Sequence, residues 1–441
     1  MPTDLSSIVV RYEPGRVALS GAVEQDVTIT AQSMLNHLLE TASQRSIDLV
    51  AIATGIYAID RACKRKLTRH NECGVRTLRV VFEVSDLAFW QQPDIVEQLT
   101  DILCVLSGDT WLVSFAKRSE PHQTTAVQRS LDLQQPLPTR VALYSGGLDS
   151  AAGLANQLVA NDQTYMLLTV GHHVAVRSKC LDQVKKLRQI LRTPMLHHAS
   201  FMVRFDGGVA GKMKSQEKSQ RARGFLFCAA AALLADACDI EDIELFENGV
   251  GAINLPLTEG GLTDGLSTRG AHPGFLAKMG ALVSAVLETP LRFSLPFLSA
   301  TKAEMVQPLV ARPLLAEWLQ QSCSCIHTSL RVRGKRHCGH CPACIERRQA
   351  FRGGGIEEGA KDYEVDLFSG GVPKDFAYFM SYLENARWWS TGHARVKSRL
   401  ARHCILTDST HVPIDQIESM LVRHANESLL TYGGVELLEA A

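Results

Sequence analysis

Residues 145–150, with the sequence SGGLDS, have the types and order of a phosphate-binding loop. A short hydrophobic stretch precedes them at 140–144 and an Ala- and Leu-rich stretch follows at 151–159, so the expected order is strand, loop and helix. Two glycines allow a tight turn, and the free N–H groups of the loop and of the first helical turn can then converge on one anion. Asp149 would repel a bare phosphate, which favours a bridging metal ion or a helix-capping role for it.

A cluster of cysteines is the second feature with the composition of a chemical site. Five of the twelve cysteines crowd into 22 residues, namely Cys323, Cys325, Cys338, Cys341 and Cys344. The last three form CxxCxxC, and four thiolates at about 2.3 Å from one ion make a closed tetrahedral Zn²⁺ site. Cys325 is the expected fourth ligand, with Cys323 as the alternative. An iron–sulfur cluster is the competing interpretation, although the Gly-His spacer favours zinc. Because a closed site leaves no position for substrate, a structural role is expected.

Length and composition limit the classes of protein to consider. A chain of 441 residues exceeds one ordinary core, which predicts two or three domains. The 46 Lys and Arg residues balance the 46 Asp and Glu residues, so nucleic acid is not an expected partner. The N-terminus lacks the features of a secretion signal, and no run of about eighteen apolar residues predicts a membrane span. We therefore expect a cytoplasmic protein with reduced thiols.

Alternating strands and helices are expected to position both sites. After the loop, residues 164–170 read as a buried strand, 181–191 as an amphipathic helix, 225–237 as an apolar helix and 243–246 as a strand. This alternation predicts an α/β fold with a doubly wound parallel sheet. The N-terminal third has strand-like stretches at 7–12, 77–84 and 111–115, helix-like stretches at 33–40 and 95–106, and at 49–62 a buried strand that runs into a helix.

The same patterns divide the chain into four parts. Residues 1–118 are expected to form an N-terminal α+β domain for recognition or dimerisation, which makes a homodimer one expected assembly. Residues 119–139 are polar and aperiodic, as in a linker. Residues 140–355 would form the α/β domain, with the cysteine module at 323–351, and residues 356–441 a helical C-terminal extension.

The loop resembles the SGGxDS loop of the PP-loop ATP pyrophosphatase superfamily, which holds the pyrophosphate end of ATP. With SCI at 324–326 and CGHCPACIERRQAF at 338–351, the chain also resembles the zinc segment of QueC, the 7-cyano-7-deazaguanine synthase family. Three further motifs follow the family's order: RGFLF at 223–227, NGV at 248–250 and TKAE at 301–304. The resemblance covers residues 139–353 and implies the adenine nucleotide α-hydrolase-like fold of PP-loop ATPases.

The activity that this resemblance implies is an ATP-dependent carbon–nitrogen ligase. Members of the superfamily adenylate a carbonyl or carboxylate oxygen, and a nitrogen or sulfur nucleophile then displaces AMP, a far better leaving group than oxide. QueC activates the carboxylate of 7-carboxy-7-deazaguanine in this way and aminates it, first to an amide and then to a nitrile. The implied cofactors are ATP, Mg²⁺ and Zn²⁺, and the implied small-molecule partner is a 7-deazaguanine.

The resemblance also implies roles for individual residues. The residues expected at the phosphate end of ATP are Ser145, Gly146, Gly147, Leu148, Asp149 and Ser150. Asp149 would also help to hold Mg²⁺. Lys302 is expected to meet charge that develops on the phosphates, unless it is a solvated lysine in the TKAE capping box. Arg223 is expected to pair with the α-phosphate or the substrate carboxylate, or else to form a surface ion pair. Gly249, in the NGV motif, is a further expected cofactor-binding residue. Gly171 and His172 are expected to bind adenine or substrate for a different reason, because they follow a strand at the carboxyl edge of the sheet; the alternative for His172 is an ordinary loop histidine.

The chain departs from the QueC pattern in the substrate region. Gly251 and Asn254 stand where the pattern has Asn and Asp. His272 and Gly274 replace its Arg and Glu. Losing those charges predicts a changed substrate pose, with an altered second step or a larger amine acceptor. The added regions at both ends resemble the embellished QueC-like proteins of anti-phage defence, such as QatC, which implies a protein partner whose N-terminus is modified.

Two other functions stay open at this point. An ATP-binding scaffold of a defence complex would keep the phosphate loop without catalysis, which the altered substrate region allows. A tRNA-modifying PP-loop enzyme would need cationic groups for phosphate contacts, and the even charge balance disfavours it.

Overall fold

The protein is described from a computed structural model. The described residues are 7–32, 42–66, 74–119, 137–171, 173–193, 196–206, 216–217, 219–256, 268–327, 337–368, 372–373, 377–391, 394–435 and 437–438.

Strands and helices alternate along most of the chain. The strands are β1 (Ile8–Glu13), β2 (Arg16–Gly21), β3 (Gln25–Gln32), β4 (Thr77–Val84), β5 (Thr110–Lys117), β6 (Arg140–Leu143), β7 (Tyr165–Gly171), β8 (Leu196–Asp206), β9 (Asp242–Leu245), β10 (Arg292–Ser294), β11 (Val372–Pro373) and β12 (Leu437–Leu438). The helices are α1 (Gln44–Ala62), α2 (Leu87–Trp90), α3 (Pro93–Ser107), α4 (Leu148–Ala160), α5 (Val174–Leu191), α6 (Arg223–Ala237), α7 (Gly249–Ile253), α8 (Pro273–Leu287), α9 (Lys302–Val310), α10 (Pro313–Gln320), α11 (Pro342–Gly354), α12 (Ala377–Ser390), α13 (Ala394–Leu406) and α14 (Ile414–Tyr432). A short 3₁₀ turn covers Ala360–Asp362.

Five parallel strands form the part of the sheet that carries the phosphate loop. Their spatial order is β10-β9-β6-β7-β8, and each neighbouring pair is parallel. The chain runs outward from β6 in one direction and then returns to build β9 and β10 on the other side. The strand order therefore reverses between β6 and β9, and ligands of open α/β sheets bind at the carboxyl ends of the strands at such a switch point.

Helices cover both faces of these strands. Val141 of β6 packs into a core shared with α1, α6 and α8, whereas its neighbour Ala142 packs into a second core with α4, α5 and α9. Successive side chains of a strand point to opposite faces, so both faces of the central strands are apolar. The predicted α/β fold with a doubly wound parallel sheet is confirmed.

The strands of the N-terminal region extend the same sheet. β3 pairs antiparallel with β8, from Asp26 opposite Asp206 to Gln32 opposite Ser200. Beyond β3 the order is β2, β1, β4 and β5, which makes ten strands in one sheet. A single hydrophobic core includes residues of α1 from the N-terminal region and of α6 from the α/β region. The boundaries expected between domains stay a prediction.

One predicted element of the N-terminal region is wrong. Residues 49–62, expected to be a strand that runs into a helix, belong to the single helix α1. Buried residues cover 15 positions of that helix, from Ser46 to Asp60. Its apolar side chains therefore surround the helix axis instead of forming the stripe of an amphipathic helix, and its sequence looks like a buried strand. The helix predicted at 33–40 lies outside the described residues.

The described part of the C-terminal extension consists mainly of the helices α12, α13 and α14, in agreement with the predicted helical character. Leu400 of α13 and Met420 of α14 share a core with Ile253 of α7, so the extension packs on the α/β region. In the described part of the chain, no helix combines the length and the apolar character needed to cross a membrane.

Candidate active site and metal centre

The phosphate loop joins the carboxyl end of β6 to the start of α4. Gly146 has a φ of +71°, and a Cβ at this position would lie 2.9 Å from Cys180 Sγ, so both the turn and the packing require glycine. The Ser145 hydroxyl lies 3.2 Å from that of Ser150 and accepts from Gly147 N–H at 3.3 Å. The loop is therefore a preformed turn at a helix N-terminus, an arrangement suited to phosphate groups.

Two residues just before the cysteine cluster hold this loop in place. The Ser324 hydroxyl accepts from Leu148 N–H at 3.0 Å. Cys323 N–H donates to the Gly146 carbonyl at 3.0 Å. Because both residues lie immediately before Cys325 in the chain, the position of the loop depends on the cysteine module.

The cysteine cluster has the dimensions of a zinc site. Four buried Sγ atoms lie within 4.8 Å of one another, those of Cys325, Cys338, Cys341 and Cys344. The two belonging to Cys338 and Cys344 are 3.7 Å apart. A tetrahedron with metal–sulfur bonds of about 2.3 Å has edges of about 3.8 Å, so the cluster fits Zn²⁺. Cys325, and not Cys323, is the fourth member of the group.

Lys302, the first residue of α9, joins the phosphate loop to α11. Its Nζ lies 3.1 Å from Asp149 Oδ2 and 2.8 Å from Glu346 Oε2. Burial alone would lower the pKa of Lys302, but Asp149, Glu346 and Glu247 outweigh burial and raise it well above its usual value. The TKAE capping box is present, with Thr301 at its start. The ammonium is nevertheless buried and paired, which differs from the solvated lysine considered as the alternative.

The carboxyl end of β9 supplies two residues beside the phosphate loop. Asn248 Nδ2 donates to Asp149 Oδ1 at 2.9 Å and to Glu247 Oε1 at 3.2 Å. A Cβ on Gly251 would lie 2.2 Å from the same Glu247 oxygen, so this departure from the QueC pattern leaves room for Glu247. The sequence did not single out Glu247. The sequence shows only that Glu247 follows a predicted strand. That position points to the phosphate loop only when β9 is known to lie next to β6.

Glu247 is a carboxyl group with a strongly shifted pKa. Burial and the neighbouring Asp149 carboxylate raise the pKa of Glu247 to about 8, against the opposing effect of Lys302. The protonated form is therefore favoured in the folded protein at neutral pH, whereas the unfolded chain ionises this group at its ordinary pKa of 4.5.

This shift predicts that the contribution of Glu247 to stability falls as the pH rises from about 4.5 to about 8. In that window the folded protein retains a proton on Glu247 that the unfolded chain has released, so this contribution to the unfolding free energy should fall by at most about 1.4 kcal/mol per pH unit. Glu247→Gln removes the titrating group, so the difference in unfolding free energy between the wild type and the variant should fall across this window, as measured by urea denaturation of both proteins. A difference that is the same at both ends of the window would contradict the assignment.

The phosphate loop, Lys302 and Glu247 border a cavity of about 500 Å³. Arg223 at the start of α6 also lines it, with its guanidinium carbon 5.4 Å from the centre of the Phe227 ring. The polar and aromatic lining residues from the C-terminal helices are Tyr378, Tyr382, Asn385, Trp389, His424 and Ser428. The C-terminal extension is therefore part of the cavity wall, which the sequence did not predict.

Buried polar contacts fix this C-terminal wall. The Tyr382 hydroxyl donates to Gln349 Oε1 at 2.5 Å and lies 3.1 Å from His424 Nε2. Ser428 donates to the same glutamine oxygen at 2.8 Å. Burial lowers the pKa of His424 to about 4, so its ring is neutral at pH 7. Within the described residues, the buried indole N–H of Trp389 has no hydrogen-bond partner, and a bound ligand would satisfy such a donor.

The C-terminal helices also explain two departures from the QueC pattern. A Cβ on Gly274 would lie 2.0 Å from the Thr407 carbonyl oxygen, so no larger residue fits there. His272 is fully buried, with its ring 5.2 Å from that of His403 on α13. Burial lowers the pKa of His272 to about 3, so the ring stays neutral. Uncharged and small residues at these positions let α8 pack against the extension.

Three further residues were predicted to bind the cofactor. Gly171 ends β7, and a Cβ there would meet open space. His172 lies outside the described residues. Gly249 opens α7, but a Cβ on it would lie 2.0 Å from the Leu298 carbonyl oxygen, so its glycine is required for packing. Their roles in binding stay predictions.

Comparisons with known proteins agree on one family. The family model described as "Queuosine biosynthesis protein QueC" matches residues 261–355. The 7-cyano-7-deazaguanine synthase of Rhizobium etli (strain CIAT 652) is 25% identical over 243 residues, which are 51% of this chain and 91% of that protein. The enzyme of the same name from Brucella anthropi is 27% identical over 107 residues, 23% of this chain and 42% of that protein. That from Rhizobium rhizogenes is 33% identical over 97 residues, 21% of this chain and 36% of that protein.

Proposed function

Because the chain is a QueC-like protein, we propose that it is an ATP-dependent carbon–nitrogen ligase that activates the carboxylate of a 7-deazaguanine. The observation that carries this proposal is the cavity at the switch point of the sheet. In this cavity of about 500 Å³ the phosphate loop lies beside the paired Lys302 ammonium. An ATP site of this kind acts by fixed charges and N–H groups aimed at charge that develops on the phosphates.

In the proposed reaction a carboxylate oxygen attacks the α-phosphorus of ATP and pyrophosphate leaves. An amine then attacks the acyl carbon, and AMP leaves with one of the original carboxylate oxygens. The phosphate loop would hold the pyrophosphate portion, and Lys302 would stabilise its growing charge. Arg223 would pair with the α-phosphate or with the carboxylate of the acid. Mg²⁺, when bound at Asp149, would neutralise phosphate charge, and Zn²⁺ at the four cysteines would be structural.

We propose 7-carboxy-7-deazaguanine as the acid and ammonia or a protein amine as the nucleophile. The support for a larger amine is the added C-terminal wall, which brings aromatic and neutral polar groups to the cavity from beyond the family match at 261–355. We also propose that this reaction serves anti-phage defence. This part of the proposal rests on the resemblance of the added regions to defence-associated QueC-like proteins.

The proposal predicts that ATP turnover depends on the acid and the amine together. We expect purified protein with Zn²⁺ retained, ATP, Mg²⁺, 7-carboxy-7-deazaguanine and ammonium to release AMP and to give an amide or nitrile, detected by mass spectrometry. Asp149→Ala should lose this turnover. If the wild type yields no product with ammonium or with candidate protein amines, the proposed function fails. If Asp149→Ala retains the biological activity of the wild type, the protein is an ATP-binding scaffold instead.

A further inference from the structure

Residues 219–223 connect the N-terminal region to the cavity. Arg221 and Arg223 both line the cavity, and Arg223 opens α6. Next to them, Gly224 packs so closely on Gly270 that a Cβ would lie 2.6 Å from the Gly270 Cα. A shift of the start of α6 would therefore meet backbone on that side. The direction of the Arg223 side chain therefore depends on the contacts that the preceding residues make with the N-terminal region.

Hydrogen bonds from the N-terminal region hold this segment, and those to Arg221 and Ala222 lie directly before Arg223. Ala222 N–H donates to Asp60 Oδ2 on α1 at 2.9 Å. Arg221 donates from its guanidinium to the Ser107 carbonyl, at the end of α3, at 3.2 Å. Arg221 and Ala222 are both buried, although they precede an exposed Arg223. The turn before α6 is therefore anchored in the N-terminal region while the next side chain faces the cavity.

A buried ion cluster fixes Asp60 itself. Arg76 Nη2 lies 2.5 Å from Asp60 Oδ1 and 2.5 Å from Asp109 Oδ2, and Arg65 Nη1 lies 2.6 Å from Asp109 Oδ1. Both carboxylates are fully buried, and both arginine side chains are less than 10% exposed. Asp60 Oδ1 thus faces Arg76, with Arg65 Nη2 farther away at 3.9 Å, and Asp60 Oδ2 accepts from the Ala222 N–H.

We propose that the N-terminal region is a working part of the active site, in which Asp60 is a positioning residue that orients Arg223. The ion cluster fixes Asp60, Asp60 fixes Ala222, and the next residue projects into the cavity. This inference rests on the proposed function, because it assigns Arg223 to the bound substrates. A misplacement of about 1 Å in a group that orients substrate is enough to slow a reaction by about a hundredfold.

The test compares two substitutions on the same helix. Asp60→Asn turns one acceptor oxygen into a donor, so either Arg76 or the Ala222 N–H loses its partner. Asp48→Asn is the matched control, because Asp48 is equally buried on α1 but accepts from Ser85 N–H at 2.8 Å and pairs with Arg118 at 3.0 Å. We expect kcat to fall by about ten- to a hundredfold in Asp60→Asn. Asp48→Asn should lose a similar amount of stability but keep a kcat close to that of the wild type.

A double-mutant cycle decides whether Asp60 acts through Arg223. Asp60→Asn combined with Arg223→Ala should be no slower than Arg223→Ala alone, whereas additive losses would overturn the proposal. Hydrogen exchange supplies a readout that needs no activity: the peptide 219–227 should exchange faster in Asp60→Asn than in Asp48→Asn. Equal exchange would overturn the proposal. If the wild type has no ATP-dependent turnover, the proposed function fails, while the exchange measurement still decides whether Asp60 holds the segment.

Discussion

Replacing Lys302 with methionine should lower ATP-dependent turnover by about 10²- to 10³-fold, because it removes a fixed charge aimed at the phosphate loop. Lys302 Nζ lies 3.1 Å from Asp149 Oδ2 in that loop and 2.8 Å from Glu346 Oε2. The ammonium is buried, so water cannot replace its charge. Initial rates of AMP release at saturating ATP measure the loss.

Lys302→Met should also lower the unfolding free energy by about 3–5 kcal/mol, because the carboxylates of Asp149 and Glu346 would stay at the cavity without their cation. Lys278→Met is the matched control. Lys278 also pairs with two carboxylates, at 2.6 Å from Asp101 and 2.6 Å from Asp408, but these contacts lie at more exposed positions outside the cavity lining. We expect Lys278→Met to keep its turnover. If Lys302→Met loses stability and keeps full turnover, Lys302 has only a structural role.

The second large effect is expected from removing one cysteine of the metal centre. Cys344→Ala should reduce bound zinc from one ion per chain to none and lower the unfolding free energy by about 4 kcal/mol or more, since metal binding and folding are coupled. Turnover should fall as well. Cys323 and Ser324, which hold the phosphate loop at Gly146 and Leu148, lie at the edge of the metal module.

Metal analysis by mass spectrometry and thermal unfolding are the measurements. Cys323→Ala is the matched control. Its side chain is not among the four converging thiols, and the contact with Gly146 uses its backbone N–H. This variant should therefore keep its zinc. Iron with visible absorbance in the purified wild type would contradict the zinc assignment and favour an iron–sulfur cluster.

The phosphate loop and the cysteine module were predictable because their residues are close in the chain. SGGLDS spans six residues, and CxxCxxC brings three ligands together through spacing alone. Strand–helix alternation was likewise enough to predict the doubly wound sheet, because each element shows its own periodicity. The fourth ligand needed the structure, since Cys323 and Cys325 lie at similar distances along the chain from Cys338 and only Cys325 joins the other three thiols.

Only the tertiary structure decided which distant residues surround the phosphate loop. Glu247 lies beside Asp149 because β9 packs next to β6, and the order of strands in a sheet is not written in any local pattern. The first part of residues 49–62 was mistaken for a strand because burial on all sides removes the periodicity that identifies a helix. Long-range packing brings Trp389 on α12 to the cavity. It also brings Asp60 on α1 to residues 219–223, which support the cavity. Local sequence thus determined the two sites that are built from neighbouring residues. Packing between elements far apart in the chain decided the walls of the cavity and the residues that hold Arg223 toward it.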